Sequence, residues 1–396
     1  MAASEPLAPR RPTRQVRVGN VLIGGGAPVS VQSMCDTKTT DVEATVRQIR
    51  ALQDAGCEIV RLAVPDMDSA RALAQIKARV SVPIVADVHF DYRLALAALE
   101  SGVDKLRINP GNIRKPEWVR QVVSAARNRG VPIRIGVNEG SVDRSRFPEA
   151  TPEALVASAM DHIRILEELD FRDIVVSLKA FDVPRTVQAY RLMAQQTDYP
   201  LHIGITEAGL AWAGTIRSAV GLGVLLASGI GDTLRVSLAA DPVEEVKVGW
   251  EILRCLNLRS RGYTLIVCPS CGRCRIDLRG TAEKVNQALQ ARPQPPQEVK
   301  VAVMGCVVNG PGESREAHVG LTGGDGLGLI MRSGIVVRKV PEERMVDALL
   351  EELDAIEAEL ALTPNPSFAR GRREPGSVLP KVGEGLATRG TMSEKE

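Results

Sequence analysis

Aromatic side chains are scarce in this chain of 396 residues, with three Trp, four Tyr and five Phe, and there are only four His. Single-stranded nucleic acid is gripped by stacking rings and duplexes by a basic excess. Here 50 Lys and Arg stand against 48 Asp and Glu, for a formal net charge of +2. The composition argues against a dedicated nucleic-acid binder. No run approaches the ~20 consecutive apolar residues that cross a bilayer, so no membrane partner is expected. Met1 to Arg17 lacks the apolar stretch of a secretory signal, which makes the cytoplasm the expected compartment. A regular cysteine framework is missing too. Cys35 and Cys57 stand alone, while Cys255, Cys268, Cys271, Cys274 and Cys306 are clumped. Seven thiols so arranged point to metal or redox chemistry and away from disulfides.

What is present is a counted alternation. Apolar, β-branched runs at 29–33, 59–64, 83–87, 104–108, 132–136, 173–178, 200–204 and 233–237 are each followed by a stretch of helical period, at 41–54, 68–79, 91–101, 116–129, 152–168, 183–196, 210–228 and 242–256. Eight βα units over residues 29–258 predict a TIM barrel, with an open doubly wound sheet as the alternative. Within 1–28, Gln15 to Ile23 reads as a hairpin turning at Gly19-Asn20 that covers the bottom of the barrel. A second, α+β unit is expected over 261–362: a strand (263–267), a helix (281–291), a Pro-rich link (293–296), a strand (299–304), three short strands between His318 and Val340, and a helix (342–360). The remainder, 363–396, is poor in apolar residues and is expected to be disordered.

Five of the eight predicted barrel strands carry a cation near the C-terminal end: Arg61, Arg107, Arg134, Lys179 and Arg235. Charge in a buried strand costs several kcal/mol unless it is paired. The C-terminal face of a barrel holds the active site, so converging cations there suit a small polyanion. Asp87, His89, Asn109, Asn112, Asn138, Glu207 and Ser237 share that edge. The structural alternative is that the acids merely neutralise the arginines. His162, His202 and His318 read as helix-face, core and loop residues. The glycine-rich pieces form no phosphate loop or dinucleotide fingerprint.

Cys268-Pro-Ser-Cys271-Gly-Arg-Cys274, with Gly305-Cys306-Val-Val-Asn-Gly-Pro-Gly-Glu313 further on, has the pattern of a metal site closed by a remote loop. Zinc would need Cys274 or His318 to complete Cys268, Cys271 and Cys306. An iron-sulfur cubane also fits, with Glu313 as a harder, more exchangeable ligand that leaves one iron open to substrate oxygen.

These two motifs, together with Val-Gln-Ser-Met (31–34), Val-Ala-Asp-Val-His-Phe (85–90) and Leu-Arg-Ile-Asn-Pro-Gly-Asn (106–112), resemble the GcpE family of 4-hydroxy-3-methylbut-2-enyl diphosphate synthases in its short bacterial two-domain form. The resemblance runs from about Arg14 to Leu360. It implies a TIM barrel with a sulfite-reductase-like cluster domain. It also implies reductive ring opening and dehydration of 2-C-methyl-D-erythritol 2,4-cyclodiphosphate in the methylerythritol phosphate route to isoprenoids, driven by two electrons from flavodoxin or ferredoxin. A 4Fe-4S cluster is carried over to Cys268, Cys271, Cys306 and Glu313. Diphosphate binding is carried over to Arg61, Arg107, Arg134, Asn138, Lys179, Arg235 and Ser237, joined from the strand-end reading by Asp87 and His89. Asn109 and Glu207 are implied near the reacting carbons. A homodimer is implied in which one subunit's cluster domain caps the other's barrel. Cys274 stands where the family usually has Thr, and Cys35-Asp36 where it has Thr-Asn. The main competing reading is a zinc-stabilised barrel lyase or aldolase using Lys179; a further one is a noncatalytic phosphometabolite-binding or iron-sensing protein.

Overall fold

The computed structural model describes residues 8–113 and 115–362, so the expected disordered tail lies outside the described residues. The chain divides into two compact units. The first runs to Tyr263 and takes in Pro293–Glu298; the second comprises Thr264–Arg292 and the chain from Val299 onward.

The first unit opens with the hairpin of β1 (Gln15–Val18) and β2 (Val21–Gly24), paired antiparallel. Its Val18 and Ile23 pack fully buried against Ile59 and Val85, near the N-terminal ends of two barrel strands, and plug that end. Eight parallel strands follow: β3 (Ser30–Met34), β4 (Ile59–Ala63), β5 (Ile84–Asp87), β6 (Lys105–Arg107), β7 (Ile133–Asn138), β8 (Ile174–Lys179), β9 (His202–Ile203) and β10 (Thr233–Leu234). They alternate with α1 (Val42–Asp54), α2 (Met67–Lys77), α3 (Tyr92–Glu100), α4 (Pro116–Arg129), α5 (Pro152–Glu168), α6 (Val183–Gln196), α7 (Ala211–Ala227) and α8 (Pro242–Cys255). The helices begin where side-chain chemistry tells them to. Asp41, Asp66, Asp91, Thr151, Asp182 and Asp241 each accept an N–H of the first turn, and α4, α5, α6 and α8 carry Pro at its start.

Strand order β8-β7-β6-β5-β4-β3-β10-β9 brings the two edges together, and a parallel bridge between Val176 and Leu201 closes the ring. Closure rules out the doubly wound alternative. The last two strands are shorter than the sequence predicts. Past Ile203 the ladder stops at Gly204, where a Cβ would lie 2.6 Å from the Arg235 carbonyl oxygen and 2.7 Å from Lys179 Nζ. The backbone there yields space to a charged side chain at the barrel mouth.

In the second unit β11 (Tyr263–Val267), β12 (Val299–Met304), β13 (Val319–Gly324), β14 (Leu327–Arg332) and β15 (Ile335–Pro341) form one sheet in that order, with β12 and β13 parallel and β13 to β15 antiparallel. Helix α9 (Leu278–Gln290) starts three residues earlier than expected, because Asp277 accepts the Gly280 N–H and caps it there. The short α10 (Gly310–Glu313) follows Cys306, and α11 (Met345–Leu362) packs on β13 and β14.

The seam between β8 and β9 depends on one side chain. Tyr190 of α6 donates its hydroxyl to His202 O at 2.6 Å and accepts from Leu178 N at 3.1 Å, all buried. Tyr190→Phe is expected to cost about 1–3 kcal/mol by stranding both groups, read as a lower urea midpoint with an unchanged slope.

Candidate active site

The barrel mouth holds a cavity of about 110 Å³ lined by Arg61, Asp87, His89, Arg107, Arg134, Asn138, Ser177, Lys179, Thr206, Arg235 and Ser237. Alternation along each strand explains the convergence, because residues two apart share a face. Lys105 and Arg107 of β6 thus both point into the barrel, and so do Gln32 and Met34 of β3.

The electrostatics are lopsided. Arg134 is 1% exposed, Lys105 0%, and Lys179 and Arg107 5% each; Arg61 and Arg235 are nearly as enclosed. Two buried carboxylates face these six cations. Asp87 lies 3.2 Å from Arg107 Nη1 and 3.6 Å from Arg61 Nε. Glu245, from α8, accepts from Arg235 Nε and Nη2 at 3.3 and 3.2 Å, and also from Ser33 Oγ and the Leu238 N–H. The acids therefore neutralise only part of the layer. Among the described residues Lys105 has one hydrogen-bond contact, to Gln32 Oε1 at 3.4 Å, and Arg134 Nε and Nη1 and Arg107 Nε have no partner.

Proton affinities follow from that imbalance. Burial pulls the Arg61 guanidinium down to about 10 against the help of Asp87, with Arg235 and Arg107 adding to the depression. Burial and then neighbouring cations push Lys105, Lys179 and Arg134 well below their ordinary values. Asp87 is opposed by burial, yet Arg61, the His89 hydrogen bond and Arg107 outweigh it and hold the carboxyl below the usual range. An anion entering this cavity meets donors that already lack partners.

The nine residues read as anion-binding from the sequence line this one cavity, but Asn109 and Glu207 do not. Asn109 bridges β6 to β7, donating to Gly136 O at 3.0 Å and accepting from Gly136 N at 2.9 Å. Glu207 is exposed next to Thr206, with a left-handed φ of 55°. His202 is a neutral core residue, as its strand position suggested; burial depresses its proton affinity strongly. His162 does more than face a helix. Its Nδ1 accepts the Gly111 N–H at 3.0 Å, holding the turn after Asn109, and burial pushes its pKa down to about 4. Sequence reasoning missed Lys105, although it lies two residues before Arg107. It also missed Met34, whose sulfur receives Arg61 Nε and Nη2 at 3.0 and 2.7 Å, and Glu245, which reads as one more acid on an amphipathic helix.

The second unit carries the cysteine loops. Cys268 follows β11, Cys271 and Cys274 lie in the turn before α9, and Cys306 lies near the start of the loop after β12. Among the described residues no three His, Cys, Asp or Glu side chains stand in ligating geometry. The donors nonetheless suit a thiolate-bound centre. Backbone N–H groups of Asn309 and Val308 aim at the Cys306 sulfur and, with Arg273, lower its pKa against burial and Glu313; Cys268 Sγ accepts from Ser270 N at 3.4 Å. At Gly305 a Cβ would sit 2.7 Å from Cys274 Sγ and 3.6 Å from Cys268 Sγ, so its absence lets the two loops approach. His318 Nδ1 is engaged by the Lys300 N–H at 2.9 Å. That ring nitrogen is thus taken up by the backbone of β12.

Two family profiles match the chain: the GcpE TIM-barrel domain over residues 13–250 and the GcpE protein C-terminal domain over 264–355. A protein of Geobacter sulfurreducens called 4-hydroxy-3-methylbut-2-en-1-yl diphosphate synthase (flavodoxin) is 61% identical over 350 residues, 88% of this chain and 98% of that one. A Clostridium perfringens protein of the same name is 54% identical, over 88% of this chain and 99% of its own length. Among solved structures, dihydropteroate synthase from Stenotrophomonas maltophilia superposes with a TM-score of 0.47 at 14% identity, over 61% of this chain and 97% of that one.

Two outcomes follow from the site's physics. Arg134→Met removes a buried, uncompensated cation, so it should raise folding stability by on the order of 1–4 kcal/mol while weakening inorganic diphosphate binding in calorimetry; a loss of both stability and binding would contradict the charge accounting. In protein free of any metal, iodoacetamide at neutral pH should modify Cys306 well before Cys35 and Cys57, whose thiols burial pushes up to about 12. Mass spectrometry of the alkylated peptides reads the order.

Proposed function

The chain belongs to the GcpE family, and from that premise we propose that it reduces 2-C-methyl-D-erythritol 2,4-cyclodiphosphate to 4-hydroxy-3-methylbut-2-enyl diphosphate and water, a step of isoprenoid synthesis, with flavodoxin as electron donor. The single observation that carries the substrate assignment is the cavity lined by five enclosed cations and one carboxylate, Asp87. The relatives bear the name of this reductase and not of a lyase, which sets the zinc-dependent alternative aside.

Two electrons and two protons convert the cyclic diphosphate to the open-chain product plus one water. When bound, a 4Fe-4S cluster on Cys268, Cys271, Cys306 and Glu313 would supply the electrons singly and a Lewis-acidic iron. The barrel does the rest. Arg61, Arg107, Arg134, Lys179 and Arg235, with Asn138 and Ser237, hold the diphosphate oxygens. Because Arg61, Arg107 and Arg235 are held by Met34, Asp87 and Glu245 before substrate arrives, little reorganisation of these three accompanies binding. Enclosure raises the worth of each contact by excluding water. Asn109 keeps β6 and β7 in register beneath the substrate, and the carboxyl of Glu207, at the open edge, is the group we assign to protonate the departing hydroxyl.

A homodimer is part of the same reading. It is supported by α7, where Trp212, Ile216, Val220 and Val224 recur every fourth residue and are exposed at 82, 47, 53 and 39%. A stripe of that kind on a folded domain is a surface for protein contact.

Anaerobically purified protein should be brown, and Cys306→Ser should abolish its visible charge-transfer absorption. The reduced protein should turn the cyclodiphosphate into the diene-free allylic diphosphate in a single turnover. Arg107→Ala and Arg235→Ala should raise KM far more than they lower kcat, with the absorption unchanged. Colourless protein holding one zinc, or unchanged substrate affinity in both arginine variants, would overturn the reading.

A further inference from the structure

We propose that a small apolar niche beside the anion cavity, walled by Phe90, seats the methyl group of the cyclic diphosphate and makes Phe90 a specificity-determining residue. The inference rests on the reductase reading above and adds a subsite to it. The niche has a volume of about 10 Å³ and is lined by Val88, Phe90, Ala95, Ile108 and Ile113 together with a few polar residues. Roughly 10–15 Å³ admits one water-sized group, so a methyl fits once the Phe90 ring, 68% exposed, yields slightly. The position suits the ligand as well. In 2-C-methyl-D-erythritol 2,4-cyclodiphosphate the carbon that bears the methyl also bears a phosphate oxygen, so a methyl site must adjoin the phosphate site. His89 and Arg107 line both the niche and the anion cavity, and all of these residues belong to the first unit.

Hydrogen-bonding capacity decides what the niche takes. Its polar side chains are largely engaged elsewhere. Arg107 donates to His89 Nε2 at 2.5 Å and to Gly136 O at 2.8 Å, and both ends of the Asn109 amide are taken up by Gly136. Asp91 accepts from Arg93 Nη2 at 2.7 Å and caps α3, while Asn112 is only partly buried and remains open to water. A hydroxyl placed in the niche would be left short of partners, and a bare hydrogen would leave a void. A methyl avoids both. The wall is held in a strained form: the Asp91 N–H donates to His89 O at 2.7 Å, closing a three-residue turn around Phe90, whose φ is 63°. Turns of this hand around a residue with a Cβ are rare. An exposed ring gains little from burial to offset that strain, so the turn is explained by what the ring faces.

The test uses the oxidised, cluster-loaded enzyme, which has no electrons to turn substrate over, and calorimetry with three ligands: the cyclodiphosphate, its analogue without the methyl (D-erythritol 2,4-cyclodiphosphate) and inorganic diphosphate. The wild type should bind the methylated ligand about tenfold or more tightly than the analogue, and Phe90→Ala should bring the two within about threefold. Phe90→Leu should keep most of the preference, and inorganic diphosphate should bind all three proteins alike. Equal binding of the two cyclodiphosphates by the wild type, or a preference that survives Phe90→Ala, would overturn the proposal and leave the reductase reading standing. A matching loss of inorganic diphosphate affinity in Phe90→Ala would also overturn it, because the ring would then serve the anion donors. A wild type that binds inorganic diphosphate but neither cyclodiphosphate overturns the reductase reading and the niche together.

Discussion

An excess of enclosed positive charge governs this molecule. Six cations project into a barrel that supplies two carboxylates, and among the described residues several guanidinium nitrogens there have no partner. Such an arrangement is unfavourable by several kcal/mol per uncompensated charge, so the remaining interactions must over-determine the fold. The capped helices, the closed eight-strand ring and the Tyr190 hydroxyl at the seam do that. The binding free energy of a polyanion is thereby stored in the apo fold as electrostatic tension. That tension is released when the ligand supplies the missing counter-charge.

Much of this was legible from the sequence. A cation in a β-branched, otherwise apolar strand violates local pattern in a way that only pairing or function explains, which is why Arg61, Arg107, Arg134, Lys179 and Arg235 could be singled out. Helix limits at 152–168 and 183–196 were legible because Thr151 and Asp182 sit just before prolines that open the first turn. Other features could not be read. Glu245 looks like any acid on an amphipathic helix until the fold brings it under Arg235 and Ser33. The truncation of β9 follows from a contact between Gly204 and Lys179, residues far apart in the chain. Asn109 looked like a group for the substrate, yet both ends of its amide are taken up by Gly136.

Three of the seven non-glycine residues with left-handed φ among the described residues lie beside the site residues. Phe90, Glu207 and Ser270 have φ of 63°, 55° and 68°, a region that costs a residue with a Cβ roughly 1–2 kcal/mol. Phe90 follows His89, Glu207 follows Thr206, and Ser270 separates Cys268 from Cys271. Both units thus tolerate left-handed residues beside the groups proposed to do chemistry, where a relaxed backbone would turn those groups elsewhere.

The hairpin at the other end of the barrel has a kinetic meaning. With Val18 and Ile23 packed on Ile59 and Val85, the charged interior is a vessel with a single door. Ligand and product use the same opening and the same cations, so a product that keeps its diphosphate must vacate the site before the next molecule enters. Turnover is then sequential by construction, and the tightness that helps capture also sets the pace of release.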